Sequence, residues 1–184
     1  MPKKWWMPLA LVIISGLAGV FFMGLRTYQD APPIPNFADS DGKVIFSHDD
    51  VLDGQVIFQK YALMDYGSMF GDGAGRGPDF TADALHRVFL SMLNFYERQS
   101  DLGGQPSDRQ SAIEARVKRE IKSNSYDQSS NSVRLTSGQA AAFEQLATHY
   151  RNYFGSGEAG SVEHINPSNY ITNPDEIRKL TCFF

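Results

Sequence analysis

Four histidines and one cysteine are the residues of this sequence best suited to metal binding or covalent chemistry. None of the histidine spacings matches a metal-binding motif, and the Cys-x-x-Cys-His motif that attaches haem c is absent. The serine, histidine and aspartate residues form no nucleophile motif. We therefore predict that the sequence contains no catalytic, cofactor-binding or metal-binding residue, and that His86 is packed or exposed to solvent. The four histidines and the cysteine are His48, His86, His149, His164 and Cys182.

A glycine-rich segment, GSMFGDGAGRGPD at residues 67–79, is similar to a phosphate-binding loop in composition only. A Walker loop continues into Lys-Ser or Lys-Thr, whereas Arg76, Gly77 and Pro78 stand here. A dinucleotide-binding turn follows a strand and an EF-hand closes with a glutamate, and neither condition is met. We predict that this segment is a loop between two helices. Four aspartates in and beside it are predicted to be cap and turn residues, namely Asp65, Asp72, Asp79 and Asp83. Four large side chains in and beside it are predicted to lie in the core, namely Met64, Tyr66, Met69 and Phe70.

Charge is distributed unevenly along the 184 residues. Residues 1–29 carry three basic and no acidic side chains, and the remainder carries 14 basic and 21 acidic ones. The composition, with 42% apolar residues, is that of a globular protein. An acidic domain with a sequence pI of about 5.5 is not expected to bind nucleic acid.

The segment from Trp5 to Leu25 contains no ionisable side chain. As a helix it is roughly 30 Å long, which matches the hydrocarbon core of a bilayer. A cleaved signal peptide is the alternative, but its apolar region is shorter and a small-x-small cleavage site does not follow. We therefore predict an uncleaved anchor. Because Lys3 and Lys4 precede the segment, we predict that its N-terminus lies in the cytoplasm.

The rest of the sequence predicts helices and short strands. Ser47-x-x-Asp50, Ser107-x-x-Gln110 and Thr136-x-x-Gln139 have the pattern of capping boxes. Thr81 is predicted to cap another helix, and Asn173-Pro174 to begin the last one. The predicted helices cover about 47–64, 81–100, 107–122 and 136–154, and the predicted strands cover 43–46 and 132–135.

Five segments follow from this pattern. We predict a cytoplasmic N-terminus at 1–4, a transmembrane helix at 5–25, a proline-rich linker at 26–35 and an extracytoplasmic domain at 36–172. The segment 173–184 is predicted to begin a second transmembrane helix that is truncated, because Phe183 and Phe184 would have little to pack against.

Two stretches, DAPPIP at 30–35 and LDGQVIFQKYALMDYGSMFGDGAGRGPDFTADALH at 52–86, resemble the N-terminal part of single-subunit quinol-dependent nitric oxide reductases, which belong to the heme-copper oxidase superfamily. The resemblance implies a mostly α protein: one N-terminal transmembrane helix and a cytochrome c-like helical extracytoplasmic domain with short strands and no haem. Phe89, Met92 and Phe143 would then fill the volume that a haem occupies. The family loop reads Gly-His-Gly followed by an aromatic residue, where this sequence has Asp72 and Gly75.

The resemblance also implies a reaction for the parent protein, the reduction of two NO to N2O and water with electrons from quinol. It implies a bacterial inner membrane, with haem b and non-haem iron in a downstream helical bundle that this chain does not reach. Expected partners are therefore membrane lipid, that downstream bundle and quinol, with no nucleic acid.

Two alternatives remain open on the sequence. One is a complete single-pass membrane protein whose extracytoplasmic domain binds a partner or ligand. The other is a membrane-anchored electron carrier that holds a b-type haem between His86 and a methionine.

Overall fold

The computed structural model describes residues 6–72, 77–99, 106–156 and 166–184. The chain divides into two units, an N-terminal segment up to Pro33 and a domain over Ile34–Phe184. Helix α1, Trp6–Gln29, forms the N-terminal unit and continues past Leu25, so the first four residues of the predicted linker are helical. Among the described residues, α1 is the one helix long and apolar enough to cross a membrane.

The domain consists of five α-helices and four short strands among its described residues. The helices are α2 (His48–Lys60), α3 (Phe80–Gln99), α4 (Pro106–Lys122), α5 (Ser137–Arg151) and α6 (Pro174–Phe183). The strands are β1 (Asn36–Ala38), β2 (Val44–Phe46), β3 (Tyr126–Asp127) and β4 (Ser132–Arg134). A 3-10 turn, Leu63–Asp65, follows α2, and a π-helical turn, Asn152–Ser156, follows α5.

Helix starts follow local side-chain chemistry. Ser47 and Thr136 form two of the three predicted capping boxes, and the Asn173 side chain accepts a hydrogen bond from the backbone N–H of Asp175. The predicted cap at Thr81 is wrong, because α3 begins one residue earlier and Asp79 caps it. The predicted cap at Ser107 is also wrong, because α4 already begins at Pro106.

Helix ends differ from the predictions where the backbone leaves helical geometry. Helix α2 ends at Lys60 rather than near Met64, because Ala62 adopts a left-handed conformation with φ 45°. Helix α5 ends at Arg151, and the chain continues in the π-helical turn to Ser156. The sequence pattern alone extended both helices too far.

The strands form one sheet in the order β2-β1-β4-β3. Strand β1 pairs antiparallel with β2 and parallel with β4, so Phe37 lies opposite both Phe46 and Val133. Phe46 stacks between Phe37 and Phe143 of α5, with centroid distances of 4.3 and 4.7 Å. This aromatic stack attaches the sheet to the helices.

Buried apolar side chains of the described residues form two clusters. The Phe80 cluster lies among α2, α3, α5 and α6, and the Met92 cluster lies among α3, α4 and α5. The Phe80 cluster contains Ile57, Phe58, Leu63, Met69, Phe80, Ala84, Leu146, Tyr150, Tyr153, Phe154, Ile171, Ile177 and Leu180. The Met92 cluster contains Met92, Tyr96, Ile113, Val117 and Ala142.

Candidate functional site

The glycine-rich segment is held by one aspartate. The Asp79 carboxylate accepts hydrogen bonds from the Ser68 hydroxyl at 2.9 Å, the Gly71 backbone N–H at 2.6 Å and the Ala82 backbone N–H at 2.9 Å. The bond from Ala82, with those from Gly71 and Ser68, lowers the pKa of Asp79. Asp79 therefore caps α3 and fixes the described part of the loop, as its predicted role in caps and turns requires.

Phe70, at the turn of this loop, was expected in the core and is instead 72% exposed. Its φ of 56° is a conformation that bulky side chains rarely adopt. The backbone N–H of Phe70 donates to the Thr81 hydroxyl at 3.2 Å, which holds this turn together with the Asp79 bonds. Met64 was also expected in the core and is 61% exposed, whereas Met69 is buried as predicted. Gly75 lies outside the described residues.

Aromatic rings fill the centre of the Phe80 cluster. The Phe80 ring is fully buried and stacks on Phe184, with centroids 4.7 Å apart and planes 7° apart. Tyr150 and Phe154 pack against the same two rings, with centroid distances of 4.8 to 6.5 Å. The expectation that Phe184 lacks packing partners is therefore wrong.

Phe183 also has a partner, because its ring packs against Phe58 at 5.7 Å. Helices α2 and α6 approach closely beneath this contact: a Cβ at Gly54 would overlap the carbonyl oxygen of Lys179 and lie 2.8 Å from the Phe183 Cβ. Only glycine allows the two helices to cross at this distance.

A polar group enters the Phe80 cluster through Tyr150. Its hydroxyl donates to the Asp83 carboxylate at 3.0 Å, and the Arg87 guanidinium donates to the same carboxylate at 2.8 Å. Burial, with the nearby charge of Asp83, raises the pKa of Tyr150, so this hydroxyl stays protonated. The arrangement stabilises a buried phenol and provides no nucleophile.

The expected likeness to a cytochrome c domain raises the question of a haem c, and the residues present do not fit one. Covalent attachment of haem c needs two cysteines, and the sequence has one, Cys182. Cys182 lies on α6, where its thiol donates a hydrogen bond to the Arg178 carbonyl at 3.2 Å. The side chains expected to fill a haem volume are separated: Met92 is in the Met92 cluster with Phe89 against it, and Phe143 stacks on the sheet. In the described part of the chain, no group of three or more histidine, cysteine, aspartate or glutamate residues is placed to hold a metal.

His86 is exposed and lines an open groove between α3 and α4. It was predicted to be either packed or exposed to solvent, and the second is found. The groove has a volume of about 350 Å³, and no methionine is present among its described lining residues. His149 instead packs against Tyr150 and Tyr153, and His164 lies outside the described residues. The groove is lined by Ala82, Leu85, His86, Phe89, Lys118, Ile121 and Lys122.

This groove was not predicted from the sequence. Lys118 and Lys122 have the helical spacing of ordinary solvent-exposed lysines, and Leu85 has the spacing of a core residue. Only the packing of α4 beside the first half of α3 places them together.

The family model for the NorB cytochrome c-like domain of nitric oxide reductases matches residues 35–184. The chain belongs to this family. The match covers the whole domain, from β1 to α6, and confirms the predicted relation to nitric oxide reductases and the mostly helical fold with short strands. No curated protein matches the sequence.

Proposed function

We propose that this chain is the membrane anchor and extracytoplasmic cap of a nitric oxide reductase that takes electrons from quinol. The observation that carries the proposal is the family match over the whole domain, residues 35–184. The match is to the cytochrome c-like part of the enzyme, so the chain contributes support and position, while two NO are reduced to N2O elsewhere. Haem b, non-haem iron and quinol belong to a downstream helical bundle of the same protein.

The domain itself acts without haem in this proposal. The aromatic rings of the Phe80 cluster fill its interior, and the sequence lacks the attachment motif. Electrons therefore pass from quinol to haem b without entering the domain, and its effect on turnover comes through stability and placement.

The anchor supports a bacterial inner-membrane location with the N-terminus in the cytoplasm. Helix α1 has 24 residues. At 1.5 Å per residue it is about 36 Å long, enough to cross a bilayer. Lys3 and Lys4 precede it, and positive charge is retained on the cytoplasmic side.

The haem-free domain is tested by expressing the full chain together with a cytochrome c maturation system and haem. We expect the Soret absorption of the purified protein to correspond to far less than one haem per chain. A stoichiometric haem spectrum would contradict the proposal, and its loss in a His86→Ala variant would favour the b-type electron carrier instead.

The parent activity is tested in membranes from cells that carry the intact gene. We expect NO consumption with a reduced quinol as donor and little with reduced cytochrome c, and loss of that consumption when the gene is deleted. If deletion leaves NO consumption unchanged, the chain is not part of a reductase, and the single-pass binding protein becomes the better hypothesis.

A further inference from the structure

The groove between α3 and α4 has an apolar floor and a basic rim. Leu85, Phe89 and Ile121 line its apolar floor, and Leu85 is 55% exposed. Every ionisable group on the wall is basic or imidazole, and no carboxylate is present among the described residues that line it. These groups are Lys118, Lys122 and His86.

This charge is opposite to that of the domain around it. The chain after residue 29 carries seven more acidic than basic side chains. A groove whose described ionisable groups are all basic or imidazole favours an anionic ligand over a cationic one. Glu114 pairs with Lys118 at 3.2 Å, but both side chains are largely exposed, so the pair is weak and Lys118 remains able to bind an anion.

The groove is formed before any ligand arrives. The Glu120 carboxylate accepts hydrogen bonds from the Tyr96 and Thr136 hydroxyls, each at 2.7 Å, and from Arg116 at 2.8 Å. The bonds from Tyr96 and Thr136 join α4 to α3 and to the start of α5, and the bond from Arg116 lies within α4. Although burial opposes it, these bonds lower the pKa of Glu120, so the carboxylate stays charged and keeps all three bonds at neutral pH.

We propose that this groove binds an anionic phospholipid of the bilayer into which α1 inserts, with the headgroup phosphate at Lys118 and Lys122 and acyl carbon against Leu85 and Phe89. The volume lies at the lower end of the range for small-molecule sites, which suits part of one lipid rather than a folded partner. Lipid is also the amphiphile that a membrane-anchored domain meets at the highest local concentration. The inference rests on the proposed anchor.

The test places the full chain, labelled with ¹³C at isoleucine methyl groups, in phosphatidylcholine nanodiscs. Trace phosphatidylglycerol or trace phosphatidylcholine, each with a nitroxide on its acyl chain, is then added. We expect labelled phosphatidylglycerol to broaden the Ile121 methyl signal and the labelled neutral lipid to leave it sharp. The buried Ile177 methyl serves as the internal reference in both samples.

Charge variants separate a site from a general attraction. Because one lysine near an anionic surface contributes about fivefold in binding, Lys118→Gln/Lys122→Gln should weaken the phosphatidylglycerol effect roughly tenfold or more. The matched control, Lys43→Gln/Arg151→Gln, removes the same charge at exposed positions outside the groove and should leave the effect unchanged.

Three outcomes would overturn the proposal. Equal broadening by both lipids means mere proximity to the bilayer, and equal weakening by both double variants means non-specific charge. A change at Ile121 that follows the number of protein copies per disc means that a second chain fills the groove. Failure of the chain to enter nanodiscs would contradict the anchor instead, so the two failures are distinguishable.

Discussion

The Phe80 and Met92 clusters of the domain differ in what fills them and in how they are closed. The Phe80 cluster is rich in aromatic rings, and α6 covers it with Phe183 and Phe184. The Met92 cluster is smaller, and on its outer side Phe89 and Ile121 continue into the open groove. The Phe80 cluster is therefore closed on all described sides by packing, whereas the Met92 side leaves apolar surface open at the groove.

The largest effect should come from Phe80→Ala, because this ring lies at the centre of the closed cluster. We expect the free energy of unfolding to fall by about 3–5 kcal/mol, measured by chemical denaturation of the full chain. The control is Phe70→Ala, the same change at an exposed phenylalanine, which should cost less than about 0.5 kcal/mol. Similar losses in both variants would contradict the assignment of Phe80 to the core.

The next effect tests how the closed cluster is covered. Gly54→Ala introduces a Cβ where α2 meets the backbone of α6, so the helices must separate. We expect a loss of about 1–3 kcal/mol in unfolding free energy. Gly155→Ala is the matched control, since a Cβ added at Gly155 would lie 3.8 Å from the Ile171 carbonyl oxygen, an ordinary van der Waals distance. A neutral Gly54→Ala would mean that the helix crossing is looser than described.

A smaller effect is expected from Asp79→Ala, which removes the cap of α3 and the bonds that hold the loop. The loss should be about 1–2 kcal/mol at neutral pH. Since folding lowers the pKa of Asp79, its contribution is complete above the ordinary value of 3.8 and disappears as the pH falls through the folded value. The difference between wild type and variant should therefore shrink below about pH 4. A difference that stays constant down to strong acid would show that the carboxylate charge is unimportant.

The smallest effect on stability belongs to the open side. Lys118→Gln/Lys122→Gln should change the unfolding free energy by less than about 0.5 kcal/mol, because exposed ion pairs contribute little. The same variant should lose its preference for anionic lipid. A large loss of stability would mean that the lysines hold α4 in place, and the contrast between the two halves would not stand.

The features predictable from the sequence are those that depend on neighbouring residues. The capping boxes at Ser47 and Thr136, the N-cap at Asn173 and the β2 and β4 strands follow from local chemistry and are confirmed. The relation to nitric oxide reductases follows from motifs in residues 52–86 and is also confirmed.

What was missed depends on contacts between distant residues. The exposure of Phe70 follows from a left-handed turn held by Thr81, which a hydrophobicity pattern does not reveal. Strands β1 and β3 are too short to give an alternating pattern. The groove exists only because α4 packs beside α3, so its lysines have no signature in the sequence.

The contact of α2 with α6 joins the two ends of the domain, and the pairing of β1 with β4 spans more than half of it. During synthesis the ribosome produces β1 and α2 first, β4 follows much later, and α6 emerges only when almost the whole domain has been made. Contacts of such long sequence separation make folding slow, so the nascent domain holds its aromatic side chains exposed until α6 arrives. If the domain is exported as proposed, we expect its folding to be completed only late in translocation, and the unfinished chain to bind chaperones on the far side of the membrane.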